Sequence, residues 1–184
     1  MGRPKNFSRE EVLEKAIPVF WKKGFSDTCL QDLEKATGVN KSGLYSEFKD
    51  KDDLYVQSLL HYIAKNGADE VLMKEPLGFH NIEAFLKRGL MCSERQGGCF
   101  SISTVREMAI LPPEASEIVN KTFTGLKKMM LSNITAEKPE MDTVTLADMV
   151  MTFYAGICVE QNLKNPKGLS NRKIENFMNV LKKL

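Results

Sequence analysis

The twelve residues from Thr37 to Phe48, TGVNKSGLYSEF, constrain this 184-residue chain more than any other stretch. Just before them, Thr28 to Ala36 carries Leu30 and Leu33 at helical spacing. Thr28 is the expected N-cap of that helix, with Gln31 completing a capping box. Gly38 ends it, because glycine tolerates the left-handed backbone of a sharp turn. Asn40 then caps a second short helix in which Leu44 and Phe48 share a face, and Val39 fills the corner. A short helix, a glycine turn and a second short helix form a helix-turn-helix, whose second helix enters the DNA major groove.

The flanking sequence supports that unit. Ser8 and Glu11 form a capping box, after which Val12, Leu13, Ala16, Ile17, Phe20 and Trp21 make one apolar face. Pro18 falls inside this first helix, which ends near Lys23 with Gly24 as its stop; Trp21 is expected in the core. Asp50 and Asp53 cap a fourth helix expected to run to about Met73. Glu75-Pro76-Leu77-Gly78 is a loop. Beyond it the pattern stays helical. A fifth helix carries Ile82, Phe85, Leu86, Gly89 and Leu90. A sixth is expected from about Ile102 to Leu111, stopped by Pro112-Pro113, and a seventh runs through Val119, Phe123, Leu126, Met130 and Ile134. The eighth, about Thr143 to Leu163, is apolar on nearly all sides and is expected to be buried all round. The ninth begins at Ser170 and shows one stripe. The fold class is therefore all-α, with about nine helices.

From Gly24 through Leu54 the chain resembles the DNA-binding domain of the TetR family of bacterial transcription regulators. Gly24, Thr28, Leu33, Gly38, Val39, Leu44, Tyr45, Phe48, Lys51 and Leu54 carry the resemblance. It implies a helix-turn-helix domain at 1–53 and a ligand-binding and dimerisation domain at 54–184, linked by the helix 54–73. It also implies a homodimer bound to a double-stranded, pseudo-palindromic operator and released by a small-molecule effector. By resemblance Tyr45 and Lys51 contact phosphates. Lys41 and Ser42, at the start of the recognition helix, are the best candidates for base edges. Gly43 would allow close approach to the groove, at a helix cost of roughly 0.5–1 kcal/mol. Thr28 and Lys49 complete the DNA-binding set. Arg3 and Lys5, on a short basic arm, are candidates for phosphates or an adjacent minor groove. The last two helices would pair with their symmetry mates through Val150, Phe153, Ile157, Ile174, Phe177, Met178 and Leu181. Phe85, Met91, Cys99, Phe100, Ser103, Met129 and Tyr154 are candidate effector-lining residues.

Charge adds a condition. The chain carries a formal +2, yet residues 1–53 hold ten basic and ten acidic side chains, so any DNA affinity depends on placement. Arg3, Lys5, Lys41, Lys49 and Lys51 gather near the tip, whereas Glu10, Glu11 and Glu14 start the first helix.

Other chemistries find little support. No GxSxG, Walker loop, HExxH or dinucleotide fingerprint is present, so no enzyme activity, metal or cofactor is expected. The four cysteines are too few for a disulfide scaffold. The N-terminus lacks a signal peptide's apolar core, and the run Val144–Val159 contains Asp148 and is expected to be too short to cross a bilayer; the expected setting is cytoplasmic. Two alternatives remain open. The segment Gly98 to Thr104, with Gly2-Arg3-Pro4 and Phe20-Trp21, resembles one branch of the family, and Cys99 at a helix start could be a reactive thiol that senses electrophiles or oxidants. The helix-turn-helix could instead serve as a protein-interaction adaptor.

Overall fold

The computed structural model describes residues 7–96, 98–161 and 171–184, with side chains inside the sixth helix described through Gly89. Among the described residues there are ten helices and no strand: α1 (Arg9–Lys23), α2 (Leu30–Thr37), α3 (Lys41–Glu47), α4 (Lys51–Asn66), α5 (Ala68–Leu72), α6 (Phe79–Gln96), α7 (Phe100–Val105), α8 (Pro113–Ala136), α9 (Thr143–Glu160) and α10 (Asn171–Leu181). The extra helix arises at Gly67. Its left-handed backbone (φ 56°) breaks the fourth helix, which was expected to reach Met73, and α5 resumes after it. Packing divides the chain into two compact units, residues 1–65 with 103–119 and residues 66–102 with 120–184. The packing boundary therefore lies twelve residues beyond the functional division expected at Asp53, because α4 packs with the first three helices.

In the first unit, the capping box of α1 forms as its residues dictate: Ser8 Oγ accepts from the Glu11 N–H at 3.1 Å, and Glu11 Oε2 accepts from the Ser8 N–H at 2.9 Å. Gly24 stops the helix at φ 86°. Val12, Ala16, Phe20, Leu33, Leu44, Phe48, Leu54 and Leu59 form the core. Tyr55 lies among them, edge-on to Phe20 and Phe25 with centroids 5.0 Å apart in each case. Its hydroxyl shares a 2.9 Å hydrogen bond with Thr104. Burial pushes the Tyr55 pKa up to about 12, with the Thr104 bond opposing and the Glu107 charge adding. Trp21 is half-buried rather than central and meets Tyr62 edge-on at 5.3 Å.

Two sequence expectations shift in this unit. The N-cap of α2 is Cys29, not Thr28, and its box partner is Asp32, whose carboxylate accepts from the Cys29 N–H at 3.0 Å. Thr28 turns inward instead, 1% exposed, and donates to the Gly24 carbonyl at 2.5 Å. The helix expected from Ile102 to Leu111 runs from Phe100 to Val105, and turns follow it. Pro113 does double duty, ending that stretch and opening α8 at its first position, where a missing N–H costs nothing.

The second unit is built around Leu72, Ile82, Leu86, Met130, Ile134, Leu146, Val150 and Ile157. Asp142 caps α9, accepting from the Thr145 N–H at 2.8 Å. The Thr145 hydroxyl, donating to the same carboxylate oxygen at 2.8 Å, and after it this N–H hold the Asp142 carboxyl below its ordinary pKa. By length and composition alone α9 could cross a bilayer, contrary to the sequence expectation that it is too short. Six of its residues lie in the core, and Asp148 on its open side pairs with Lys127 at 2.5 Å. The helix is not buried all round: Met149, Thr152, Gly156 and Val159 are exposed, spaced along one stripe.

Candidate nucleic-acid interface

The turn between α2 and α3 forms as the sequence requires. Gly38 adopts φ 73°, ψ 10°, and its N–H closes α2 onto the Glu34 carbonyl at 2.9 Å. Asn40 caps α3 by accepting from the Gly43 N–H at 2.9 Å. Val39, Leu44 and Phe48 are buried, which leaves the opposite side of α3 open. That open side presents Lys41, Ser42, Tyr45 and Ser46, with Lys49 just beyond the helix end. The Lys41 ammonium lies 5.9 Å from the Tyr45 ring centroid, and Tyr45 is 40% exposed. The Lys41 N–H is anchored by the Glu34 carboxylate, so the first turn is tied to α2. Ser46, which no motif singles out, belongs to this face too; its hydroxyl donates to the Gly43 carbonyl at 2.7 Å.

Three members of the expected DNA-binding set stand differently. Gly43 faces inward. A Cβ there would lie 2.6 Å from Val39 Cγ1 and 3.3 Å from Phe7, so the glycine serves packing within the unit, not approach to a groove. Thr28 is enclosed, and its hydroxyl is spent on Gly24. The Lys51 ammonium is held inside the unit: it donates to the Phe25 carbonyl at 3.0 Å and the Thr28 carbonyl at 3.2 Å, and sits 4.3 Å over the Phe25 ring. Arg3 and Lys5 lie outside the described residues.

Arg9, unremarked in the sequence, braces the far end of α3. Its guanidinium donates to the Glu47 carbonyl and covers the Phe48 ring at 4.3 Å. At the start of α2, Lys23 meets Asp32 at 2.5 Å. The Lys23 bond, with that from Cys29, lowers the Asp32 carboxyl to about 2. Glu10, Glu14 and His61 bring donor atoms together as metal ligands would. The Lys65 ammonium already lies between the carboxylates, 2.8 Å from Glu10 and 2.5 Å from Glu14.

In the second unit, Phe85 and Tyr154 pack ring against ring with centroids 4.9 Å apart. Both are buried, as are Cys99 and Phe100, whereas Met129 is half-buried. Ser103 belongs to the first unit, and the Met91 side chain lies outside the described residues. Cys99 is 7% exposed, which removes the accessibility a thiol sensor needs. Five of the seven expected dimer residues are enclosed within their own chain: Val150, Ile157, Ile174, Met178 and Leu181 are each at most 2% exposed. The apolar stripe of α10 is thus buried within its own protomer. Only Phe153 and Phe177 of that set remain half-exposed.

A glycine-turned helix pair with one buried face and an open basic, hydroxyl-bearing face defines a helix-turn-helix nucleic-acid-binding protein. Residues 12–57 match the model of the bacterial regulatory proteins of the tetR family. The HTH-type transcriptional repressor ComR of Escherichia coli (strain K12) is 28% identical over 175 residues, covering 86% of this chain and 81% of that protein. The uncharacterized HTH-type transcriptional regulator YezE of Bacillus subtilis (strain 168) is 32% identical over 132 residues, 69% of this chain and 68% of YezE. Among solved structures, a cysteine mutant of the regulator CifR complexed with 26-bp operator DNA superposes with TM-score 0.77 at 20% identity, covering 99% and 98% of the two chains. The chain belongs to the TetR family of transcriptional regulators.

Proposed function

We propose that this regulator is a homodimeric repressor that binds a pseudo-palindromic double-stranded operator through α3 and leaves it when a small-molecule effector binds. The observation that carries the reading is the open face of α3, where Lys41 and Ser42 stand at the N-terminal end that reaches bases and Tyr45 offers a hydroxyl one turn later. Residues 1–53 carry the DNA contacts, with Arg3, Lys5 and Lys49 supplementing them, and residues 54–184 carry the effector and dimer functions. The effector site is drawn from Phe85, Met129 and Tyr154 of the second unit. The dimer surface is the open stripe of α9, Met149, Thr152, Gly156 and Val159, with Phe153, Phe177 and Val180. Regulation by DNA binding calls for no catalysis, metal or cofactor, and an operator partner sets the protein in the cytoplasm.

The test is selection of bound fragments from the source genome, followed by titration of the recovered duplex at several salt concentrations. Salt-sensitive, sequence-selective binding at a two-fold symmetric site is expected. Binding indifferent to sequence and salt would overturn the reading.

A further inference from the structure

The α1–α2 turn is held by a residue far along the chain. The Glu107 carboxylate accepts the Phe25 N–H at 2.7 Å through Oε2 and the Ser26 N–H at 3.0 Å through Oε1. The approach depends on Gly24. A Cβ at that position would lie 2.6 Å from Glu107 Oε2, and the backbone there has φ 86°. The same turn supplies the carbonyls of Phe25 and Thr28 that hold the Lys51 ammonium, as well as the Phe25 ring beneath it. Two of the three ammonium hydrogens are used on those carbonyls, which leaves one direction for a further acceptor. The turn is therefore clamped from one side by a carboxylate on its N–H groups and drawn from the other by a cation on its carbonyls.

We propose that Glu107 is a positioning residue for operator binding: it fixes the Gly24–Thr28 turn so that Lys51 directs its remaining N–H at a DNA phosphate. The inference rests on the operator-binding reading above. It means that the DNA-binding machinery is not complete within the first 53 residues. A carboxylate accepting two N–H groups makes charge-assisted bonds, stronger than neutral ones, so its loss frees the turn more than ordinary truncation would.

The experiment compares wild type, Glu107→Gln, Lys51→Met and the double variant. Each is titrated with the genomically selected duplex over a salt series, and amide exchange at Phe25 and Ser26 is followed by NMR without DNA. Glutamine keeps the size but offers one acceptor oxygen, so at least one of the two amides should exchange faster. Operator affinity should fall roughly tenfold. The slope of log affinity against log salt should shrink by about 0.9, one phosphate's worth, in Glu107→Gln and in Lys51→Met alike. The double variant should lose no more slope than Lys51→Met alone. General destabilisation would leave the slope unchanged. A wild-type slope in Glu107→Gln, or slope losses that add in the double variant, would overturn the role. Should Glu107→Gln not fold, Glu107→Asp, which keeps the charge one methylene short, is read by the same criteria. A wild type that binds no duplex overturns the regulator reading and this role with it, an outcome distinct from wild-type binding with an unmoved slope.

Discussion

Phe153 on α9 and Phe177 on α10 stack face to face, their centroids 3.9 Å apart and their planes within 3° of parallel. Each ring covers one side of the other, yet both remain half-exposed. Val180, one turn beyond Phe177, is 57% exposed, and Val159 further along α9 is 54% exposed. Apolar side chains grouped in this way fit a helix–helix contact with a second copy. Val180→Asp should convert the dimer to a monomer while leaving the melting temperature of the protomer nearly unchanged. Ile174→Asp, at a position with no exposure, should instead unfold the protomer by burying an unpaired charge. Sedimentation velocity and thermal melting separate the two. A native monomer at micromolar concentration, or an unaltered dimer in Val180→Asp, contradicts the assignment.

Recognition by α3 divides between two chemistries. Tyr45→Phe removes only a hydroxyl expected on phosphate, so binding should weaken equally for all sequences. Lys41→Ala removes a base-edge donor and should relax specificity at one base position by roughly 1–3 kcal/mol. A panel of single-base operator variants provides the measurement. Equal losses across the panel for both variants would reassign Lys41 to the backbone.

Local rules made the caps and turns legible in the sequence. Ser8 with Glu11, Gly24, Gly38 and Asn40 all act through backbone geometry within a few residues, and each stands where its chemistry requires. What those rules leave out depends on the third dimension. Gly43 reads in the sequence as an oddity of the DNA face, but its reason is Val39, packed behind it. Thr28 and Lys51 carry the family resemblance, yet they hold a turn together inside the unit, and the carboxylate that completes the turn lies 82 positions from Phe25. Five of the seven dimer candidates, Val150, Ile157, Ile174, Met178 and Leu181, are enclosed in the protomer for a related reason. Helical periodicity identifies an apolar face but cannot say whether its partner lies in the same chain, and in α10 it does.

The Asp32–Lys23 pair gives a defined acid response. The folded carboxyl titrates near 2, below its ordinary 3.8. A lowered folded pKa adds stability that is complete above the unfolded value and is lost as pH falls from 3.8 towards 2. Wild type should therefore exceed Asp32→Asn in stability at neutral pH, and the gap should close across that window. Urea unfolding of both proteins at a series of pH values measures it. A gap that persists below the window would show that the carboxylate's charge is not the source.

Asn133 uses the full capacity of its side-chain amide at a site with no solvent exposure. Its Nδ2 donates to the carbonyls of Leu72 at 2.7 Å and Met129 at 2.9 Å. Its Oδ1 accepts from the Gly78 N–H at 2.9 Å and from Asn81 Nδ2 at 3.0 Å. One residue on α8 thereby ties the end of α5 to the start of α6. Asn133→Leu fits the volume but strands the Gly78 N–H and the Leu72 carbonyl, at about 1–3 kcal/mol for each buried group left without a partner. Asn81 suffers less, since its Nδ2 also reaches the Lys74 carbonyl at 2.7 Å. Asn133→Asp should be worse than leucine, because a carboxylate oxygen would face two carbonyls in a buried site. Denaturant midpoints should therefore fall in the order wild type, Asn133→Leu, Asn133→Asp, and the aspartate variant should regain part of its loss when its carboxyl is protonated in acid. A leucine variant as stable as wild type would mean that apolar packing replaces the amide without cost, and that the network carries no net stability.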